Sequence, residues 1–171
     1  MDYDSRWPAI YEEEKHRIRD ATGHRILAIE HIGSTVVPGL EAKPIIDMMA
    51  GVRGPDDADD CIPELQNISY NDITPQPGNP EWYYCLGRGL HSPGYHLHLV
   101  KFMSDHWVRH LLFRDFLCAH PDVAQQYGKL KRKLAAKHGF DRTTYTEAKT
   151  SFIESVIDRA RQGRIEGDTG Y

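Results

Sequence analysis

The sequence has few cysteines, no long apolar run and no excess of positive charge. Its 171 residues include only three cysteines, Cys61, Cys85 and Cys118, and none of them forms a C-x-x-C pair. This number and spacing indicate neither a disulfide framework nor a zinc knuckle. No segment approaches the roughly 18 apolar residues that a membrane-spanning helix needs, and the first residues contain no basic stretch followed by an apolar one. We therefore expect a cytoplasmic protein without a membrane partner.

Charge and composition limit the class of ligand. The net charge of −4 at pH 7 gives no broad cationic surface, so we do not expect extended binding of nucleic acid. A local basic pocket for a small phosphate ligand or nucleotide is compatible with this charge. Hydrophobic residues make up 40% of the chain and charged residues 27%, as in globular proteins. A chain of this length supports one ordinary domain, which we predict over residues 1–165, followed by a flexible tail over 166–171.

The apolar pattern predicts strands mainly in the first part of the chain and helices after it. A helical stripe runs from Trp7 to Gly23, and an acidic-headed helix is predicted over 54–67. Four aliphatic or aromatic runs predict strands, at residues 25–32, 43–52, 82–88 and 95–102. The last two runs form a hairpin, and the proline-rich segment 71–81 before them is predicted to be a loop.

Three helical stripes follow Ser104. Pro121 marks the start of the second, Gly139 follows its end, and the Thr144-x-x-Glu147 capping box marks the start of the third. Strands followed by helices, with an antiparallel hairpin, predict an α+β fold with a helical C-terminal part.

The first candidate site is the turn Gly33-Ser34-Thr35, directly after the first predicted strand. Glycine lets the chain turn sharply, so backbone N–H groups and the Ser34 hydroxyl can face a phosphate. The same residues also suit an ordinary turn in which Ser34 caps a short helix. Both interpretations remain open at this point.

Asp47 is an acid in an otherwise apolar strand. The two-residue period puts Lys43 on the same face. A carboxylate in such a strand needs a partner, because burying it unpaired is costly. The partner is either Lys43 or an arginine of the helical half, or Asp47 is used for metal binding or acid–base chemistry.

His96 and His98 share one face of the last strand. Two imidazoles at this spacing can chelate one divalent metal if a carboxylate such as Asp47 faces them. Alternatively, one histidine hydrogen-bonds to a carboxylate or phosphate while the other packs. His31, next to the glycine turn, can join either arrangement.

Further candidates carry positive charge or a hydroxyl group. Arg114 lies in an aromatic helical segment, which favours an ion pair between helix and sheet over a phosphate contact. Lys131, Tyr145 and Lys149 lie near the apolar faces of the last two helices and can cover the site from above. Arg88, in the third predicted strand, is an additional candidate.

Four segments, in their order and spacing, resemble the GrpB-like family: HIGSTVVPGLEAKPIID, YHLHLV, FRDFLCAHPDVAQQYGKLKRKLA and YTEAKTSFI. The resemblance runs from about Trp7 to about Ala160. Members of this family adopt a nucleotidyltransferase-like fold. The resemblance therefore implies a mixed sheet flanked by helices, and a role in transferring a nucleotidyl group from a nucleoside triphosphate.

The resemblance also implies roles for single residues. In active nucleotidyltransferases the Gly-Ser turn holds the triphosphate, and a D-x-[DE] pair on the next strand holds a divalent metal. Asp47 matches the first, catalytic acid, but Met49 stands at the position of the second. A single acid chelates Mg²⁺ weakly, so His96 and His98 are the expected additional ligands, which favours Zn²⁺ or Mn²⁺.

Three functions are compatible with these residues. The first is metal-dependent nucleotidyl transfer with a nucleoside triphosphate or a similar phosphate ligand. The second is binding of a nucleotide or small anion without catalysis. The third is metal-dependent hydrolysis of a phosphoester, which needs only the metal ligands and a water molecule.

Overall fold

The sheet and helices follow one another in the order that the sequence predicts, with one additional strand. The computed structural model of the chain describes residues 1–89, 93–137 and 142–168. The strands are β1 (Ala28–Ile32), β2 (Ile45–Val52), β3 (Asp72–Pro75), β4 (Trp82–Arg88) and β5 (Gly94–Lys101). The α-helices are α1 (Trp7–Thr22), α2 (Pro55–Gln66), α3 (Asp105–Ala119), α4 (Pro121–Lys137) and α5 (Arg142–Asp168). Short 3₁₀ turns occupy Gly23–Arg25 and Ser34–Val36.

The five strands form a single mixed sheet in the order β1-β2-β5-β4-β3. The central pair β2 and β5 is parallel, and the other neighbouring pairs are antiparallel. Asp47 lies opposite Ile32 of β1 and opposite His96 of β5 in this register. The α+β fold with a helical C-terminal part is confirmed.

The additional strand, β3, lies in the segment predicted to be a proline-rich loop. It is short, mostly exposed and at the edge of the sheet, where it pairs with β4. It ends at Pro75, as proline lacks the N–H that would continue the ladder. The loop prediction is wrong for these four residues, because an edge strand needs only one partner and one half-buried apolar side chain, Ile73.

The two faces of the sheet pack against different helices. One face contributes Ile46, Met48 and Leu97 to a core that contains Ile18 of α1 and Leu65 of α2. The opposite face contributes a smaller cluster that packs against Trp107 of α3 and consists of Ile32, Met49 and Val100. Because side chains alternate along a strand, Asp47, His96 and His98 share this second face with Met49 and Val100.

The helical half has its own apolar cluster, in which Leu117 of α3, Tyr127 of α4 and Val156 of α5 pack around Val37. The α4 helix starts at Pro121 as predicted. The α5 helix starts at Arg142, so Thr144 lies inside it and the predicted capping box does not mark its start.

Two other predictions fall on residues outside the described ranges. They are Gly139 as the residue after the second C-terminal helix, and the middle of the predicted hairpin turn 89–94. The α5 helix includes residues 166–168 of the predicted tail, and residues 169–171 are not among those described. None of the helices in the described part of the chain is long and apolar enough to span a membrane.

Candidate functional site

Asp47 lies beside two imidazoles of β5, because β2 and β5 pair in parallel register. Its Oδ1 atom is 3.4 Å from Nδ1 of His96 and 3.8 Å from Nε2 of His98. Among the described residues, these two histidines are the ion-pair partners of Asp47. Neither Lys43 nor an arginine of the helical half pairs with Asp47 in the described part of the chain, in contrast to the ion pair that the sequence offered as one alternative.

These contacts change the ionisation of the pair. Burial acts to raise the pKa of Asp47, but the interactions with His96 and His98 outweigh burial and lower it to about 2. Burial acts to lower the pKa of His98, but Asp47 and Cys85 raise it to about 9. At neutral pH, Asp47 is therefore a carboxylate beside the imidazolium of His98, and the two charges cancel.

The Gly33 turn packs directly against this carboxylate. Gly33 has a φ of +76°, in the left-handed region that favours glycine. A Cβ atom at this position would lie 2.8 Å from Oδ2 of Asp47, closer than van der Waals contact allows. The glycine thus lets the turn and the carboxylate form one compact unit.

Three lysines line a cavity beside this unit, and one of them contacts Ser34. Nζ of Lys131 donates a hydrogen bond of 2.7 Å to Oγ of Ser34. Lys43 and Lys149 line, with Lys131, Ser34 and Asp47, a cavity of about 760 Å³, which we call the cationic cavity. Burial and the neighbouring Lys149 lower the pKa of Lys131, and Asp47 acts in the opposite direction.

Charged neighbours in the cationic cavity do not neutralise these lysines. Arg132 and Glu41 also line it, but they pair with each other at 3.2 Å. Within the described ranges, no carboxylate lies within 4.0 Å of the ammonium groups of Lys43, Lys131 or Lys149. The cavity therefore has an excess of positive charge beside Ser34.

Two of the predicted phosphate-site residues have structural contacts instead. Thr35 is 1% exposed, and its hydroxyl donates to the carbonyl of Ile45 and contacts Nε2 of His31 at 2.9 Å. His31 points to the opposite face of the sheet from Asp47, where its ring stacks on Tyr11. Burial lowers the pKa of His31 to about 4, so the ring is neutral at neutral pH.

The predicted arginines also have structural partners. Arg114 donates to Glu30 at 2.7 Å and to the carbonyl of His31 at 3.2 Å, so it ties α3 to β1 as the ion-pair interpretation expects. Arg88 forms two hydrogen bonds with the buried Glu14 of α1, on the other face of the sheet, and the structure does not bring it to the cationic cavity. The side chain of Tyr145 is outside the described part of the structure.

The predicted metal ligands do not form a recognisable metal centre. Across the described residues, no group of three or more His, Cys, Asp or Glu side chains is arranged to hold a metal ion. The imidazolium of His98 competes with a metal for the Asp47 carboxylate, since a protonated ring cannot act as a ligand. Metal binding stays a prediction.

A second cavity, of about 460 Å³, shares Ser34, Asp47 and Lys149 with the cationic cavity. Arg109, His110 and Glu154 line it. Sequence reasoning missed these residues as site components, because they belong to no motif and only the packing of α3 against α5 brings them together.

A family model described as "GrpB protein" matches residues 1–159 of this sequence. The chain belongs to the GrpB family. It is 35% identical over 161 residues to the UPF0157 protein BH1888 of Halalkalibacterium halodurans, with 94% of this chain and 80% of that protein covered. It is 34% identical to the UPF0157 protein YqkA of Bacillus subtilis, and it spans only 46% of that protein's length.

A solved GrpB structure has the same fold. The crystal structure of the conserved protein GrpB from Enterococcus faecalis superposes with a TM-score of 0.81 at 32% identity, and the match covers 96% of this chain and 98% of that one. A more distant relative, from Mycolicibacterium paratuberculosis, is named dephospho-CoA kinase; it is 28% identical over 181 aligned positions, with 92% of this chain and 46% of that protein covered.

Proposed function

We propose that this GrpB chain binds the phosphate groups of a nucleotide, or of a similar small ligand, in the cationic cavity. The observation that carries the proposal is that three lysines without a carboxylate partner in the described residues line one cavity with Ser34. Asp47 makes its ion-pair contacts with His96 and His98, so Lys43, Lys131 and Lys149 have no ion-pair partner among the described residues. Uncompensated ammonium groups beside a hydroxyl suit phosphate oxygens, which accept several charge-assisted hydrogen bonds.

Two further features support a phosphate ligand. The serine hydroxyl and the Lys131 ammonium group are already 2.7 Å apart, so one phosphate oxygen can contact both without a large movement of either side chain. The relative named dephospho-CoA kinase also suggests a phosphate-bearing ligand for this family, although the present chain aligns with only part of that protein.

Nucleotidyl transfer is the enzymatic form of this proposal, with Asp47 as its catalytic acid. Mg²⁺ at such sites is held by one or two carboxylates together with the substrate phosphates. Asp47 would be the only carboxylate of this motif, since Met49 is fully buried against Ile32 and Trp107. Because the residues present do not make a metal centre by themselves, we derive no catalytic step, and binding of a phosphate ligand is the function that the geometry supports best.

Isothermal titration calorimetry with ATP, at low salt and with or without Mg²⁺, tests the proposal. Lys131→Ala removes a charge-assisted hydrogen bond worth about 1.5 to 3 kcal/mol, so we expect at least tenfold weaker binding. Lys133→Ala is the matched control, because Lys133 is an exposed lysine on the same helix. Equal affinities in the two variants, or no binding by the wild-type chain, would overturn the proposal.

Asp47→Asn separates binding from catalysis. If Asp47 only neighbours the phosphates, the substitution removes a negative charge and leaves ATP affinity unchanged or higher. If Asp47 holds a metal, the substitution abolishes both the Mg²⁺ dependence of ATP binding and any release of pyrophosphate.

A further inference from the structure

The second cavity differs from the cationic cavity in the character of its walls. Aliphatic and aromatic side chains from α3, α5 and the segment after β1 form most of it: Val37, Leu40, Phe113, Leu117, Ile153 and Ile157. We call it the apolar cavity. Its volume of about 460 Å³ is sufficient for a small organic molecule.

The charged groups at the rim of the apolar cavity are almost all paired. Arg109 pairs with Glu154 across the α3–α5 contact. Arg114 pairs with Glu30 of β1 at 2.7 Å. Of the remaining charged side chains, Asp47 contacts the imidazole of His98 at 3.8 Å, and Lys149 carries a charge of the opposite sign to that of Asp47. This balance favours an uncharged ligand, in contrast with the cationic cavity.

His110 supplies an unused hydrogen-bond acceptor at this rim. Its Nδ1 atom lies 2.8 Å from the carbonyl oxygen of His106. A carbonyl oxygen only accepts, so Nδ1 carries the hydrogen and Nε2 of the neutral ring has a free lone pair. Among the described residues, Nε2 has no hydrogen-bond partner.

The ionisation of His110 agrees with this tautomer. Partial desolvation lowers its pKa, and the positive charges of His98 and Arg109 lower it further, against the effect of the His106 carbonyl. The ring is therefore neutral above its ordinary titration range near ~6.5.

We propose that the apolar cavity binds an uncharged, largely apolar small molecule with a hydroxyl group, and that Nε2 of His110 accepts a hydrogen bond from this hydroxyl. The second ligand would lie beside the phosphate ligand, because Ser34, Asp47 and Lys149 line both cavities. The proposal goes beyond phosphate binding and does not require it.

Two uncharged probes of similar size test the proposal on the full chain at pH 7.5: 2-naphthol, which donates a hydrogen bond, and 2-methoxynaphthalene, which does not. We expect the wild-type chain to bind 2-naphthol about fivefold more tightly, the factor that one ordinary hydrogen bond provides. His110→Phe should bind both probes equally. His16→Phe, at an exposed histidine of α1, should keep the fivefold preference.

A cavity-filling variant locates the probes. Ile153→Trp should weaken the binding of both probes at least tenfold, whereas Ser151→Trp, at an exposed position of the same helix, should leave it unchanged. Equal binding of the two probes by the wild-type chain, or full binding by Ile153→Trp with a native circular dichroism spectrum, would overturn the proposal. Titration of tripolyphosphate in the same samples reports on the cationic cavity alone, so a failure there contradicts only the phosphate proposal.

Discussion

At the scale of single residues, the site depends on the close packing of the Gly33 backbone against the Asp47 side chain. The carboxylate occupies the space in which a side chain at position 33 would lie. The turn then presents Ser34 to Lys131, which comes from a helix 97 residues further along the chain. A change at Gly33 should therefore disturb both the fold and the cationic cavity.

Gly33→Ala and Gly39→Ala together separate backbone strain from steric overlap. Both glycines have a positive φ, of +76° and +80°, but only Gly33 has atoms within 4 Å of the added Cβ. We expect Gly39→Ala to lower the free energy of unfolding by about 1 kcal/mol and Gly33→Ala by about 3 kcal/mol. Urea denaturation measures both values, and equal losses would show that Asp47 does not restrict the turn.

His31 predicts how stability depends on pH. Its pKa is about 4 in the folded chain, and an unperturbed histidine titrates near ~6.5, so the unfolded chain binds the proton first as the pH falls. The contribution of His31 to stability is complete above pH ~6.5 and is lost as the pH falls towards 4.

The variant His31→Phe keeps a ring beside Tyr11 but has no titrating group. The free energy of unfolding should therefore fall less steeply between pH 6.5 and 4 in this variant than in the wild-type chain. An NMR titration of the His31 ring that gave a pKa near 6.5 would contradict the buried, neutral state.

The sequence predicted part of this residue-scale arrangement. The two-residue period of the strands was enough to put His96 and His98 on one face of their strand, since alternation is a local property. That Asp47 faces them depends on the parallel pairing of β2 and β5, which the period alone does not set. The same rule could not place His31 correctly, because the choice of face for β1 depends on the packing of Tyr11. The helix face predicted only that Lys131 can cover the site, and its contact with Ser34 could not be predicted, since no local pattern sets a contact between distant segments.

At the scale of secondary structure, α3 holds the sheet and the helical half together. Trp107 packs on the sheet, Arg114 pairs with β1, and Leu117 packs among the helices. The sequence predicted this helix from its apolar period, but it missed β3. The segment Asp72–Pro75 lacks a clear apolar alternation and ends in proline, so only its pairing with β4 identifies it as a strand.

The start of α3 provides a test at this scale. Oγ of Ser104 accepts a hydrogen bond from the backbone N–H of Trp107 and caps the helix. Ser104→Ala should lower the free energy of unfolding by about 1 kcal/mol. Ser104→Asp should have a free energy of unfolding close to that of the wild-type chain, because aspartate is also a good N-cap. Thermal denaturation compares the two variants, and equal stability of Ser104→Ala and wild type would show that the cap contributes nothing.

At the scale of the whole molecule, one apolar cluster packs α1 and α2 on the sheet, a second packs α3 on the sheet, and a third packs α3, α4 and α5 together. The cluster of Ile32, Met49, Val100 and Trp107 joins the strands to the helical half. Both candidate cavities lie where the helical half covers the sheet, so binding requires that the two parts stay together. Chain length predicts a single domain over residues 1–165, and this prediction requires that such packing hold the strands and the helical half together.

Limited proteolysis tests that prediction. With a low concentration of trypsin, we expect the chain to be either intact or degraded to small peptides, because a cooperative domain unfolds as one unit. Mass spectrometry identifies the products. A stable fragment that ends near residue 103 would show that the strands fold without the helices.

A crystal structure of the chain with a nonhydrolysable ATP analogue tests the central claim most directly. The cationic cavity predicts phosphate oxygens within about 3.2 Å of Nζ of Lys131 and of Oγ of Ser34, with Lys43 and Lys149 beside the same phosphates. A bound analogue whose phosphates lie away from all three lysines would contradict the account.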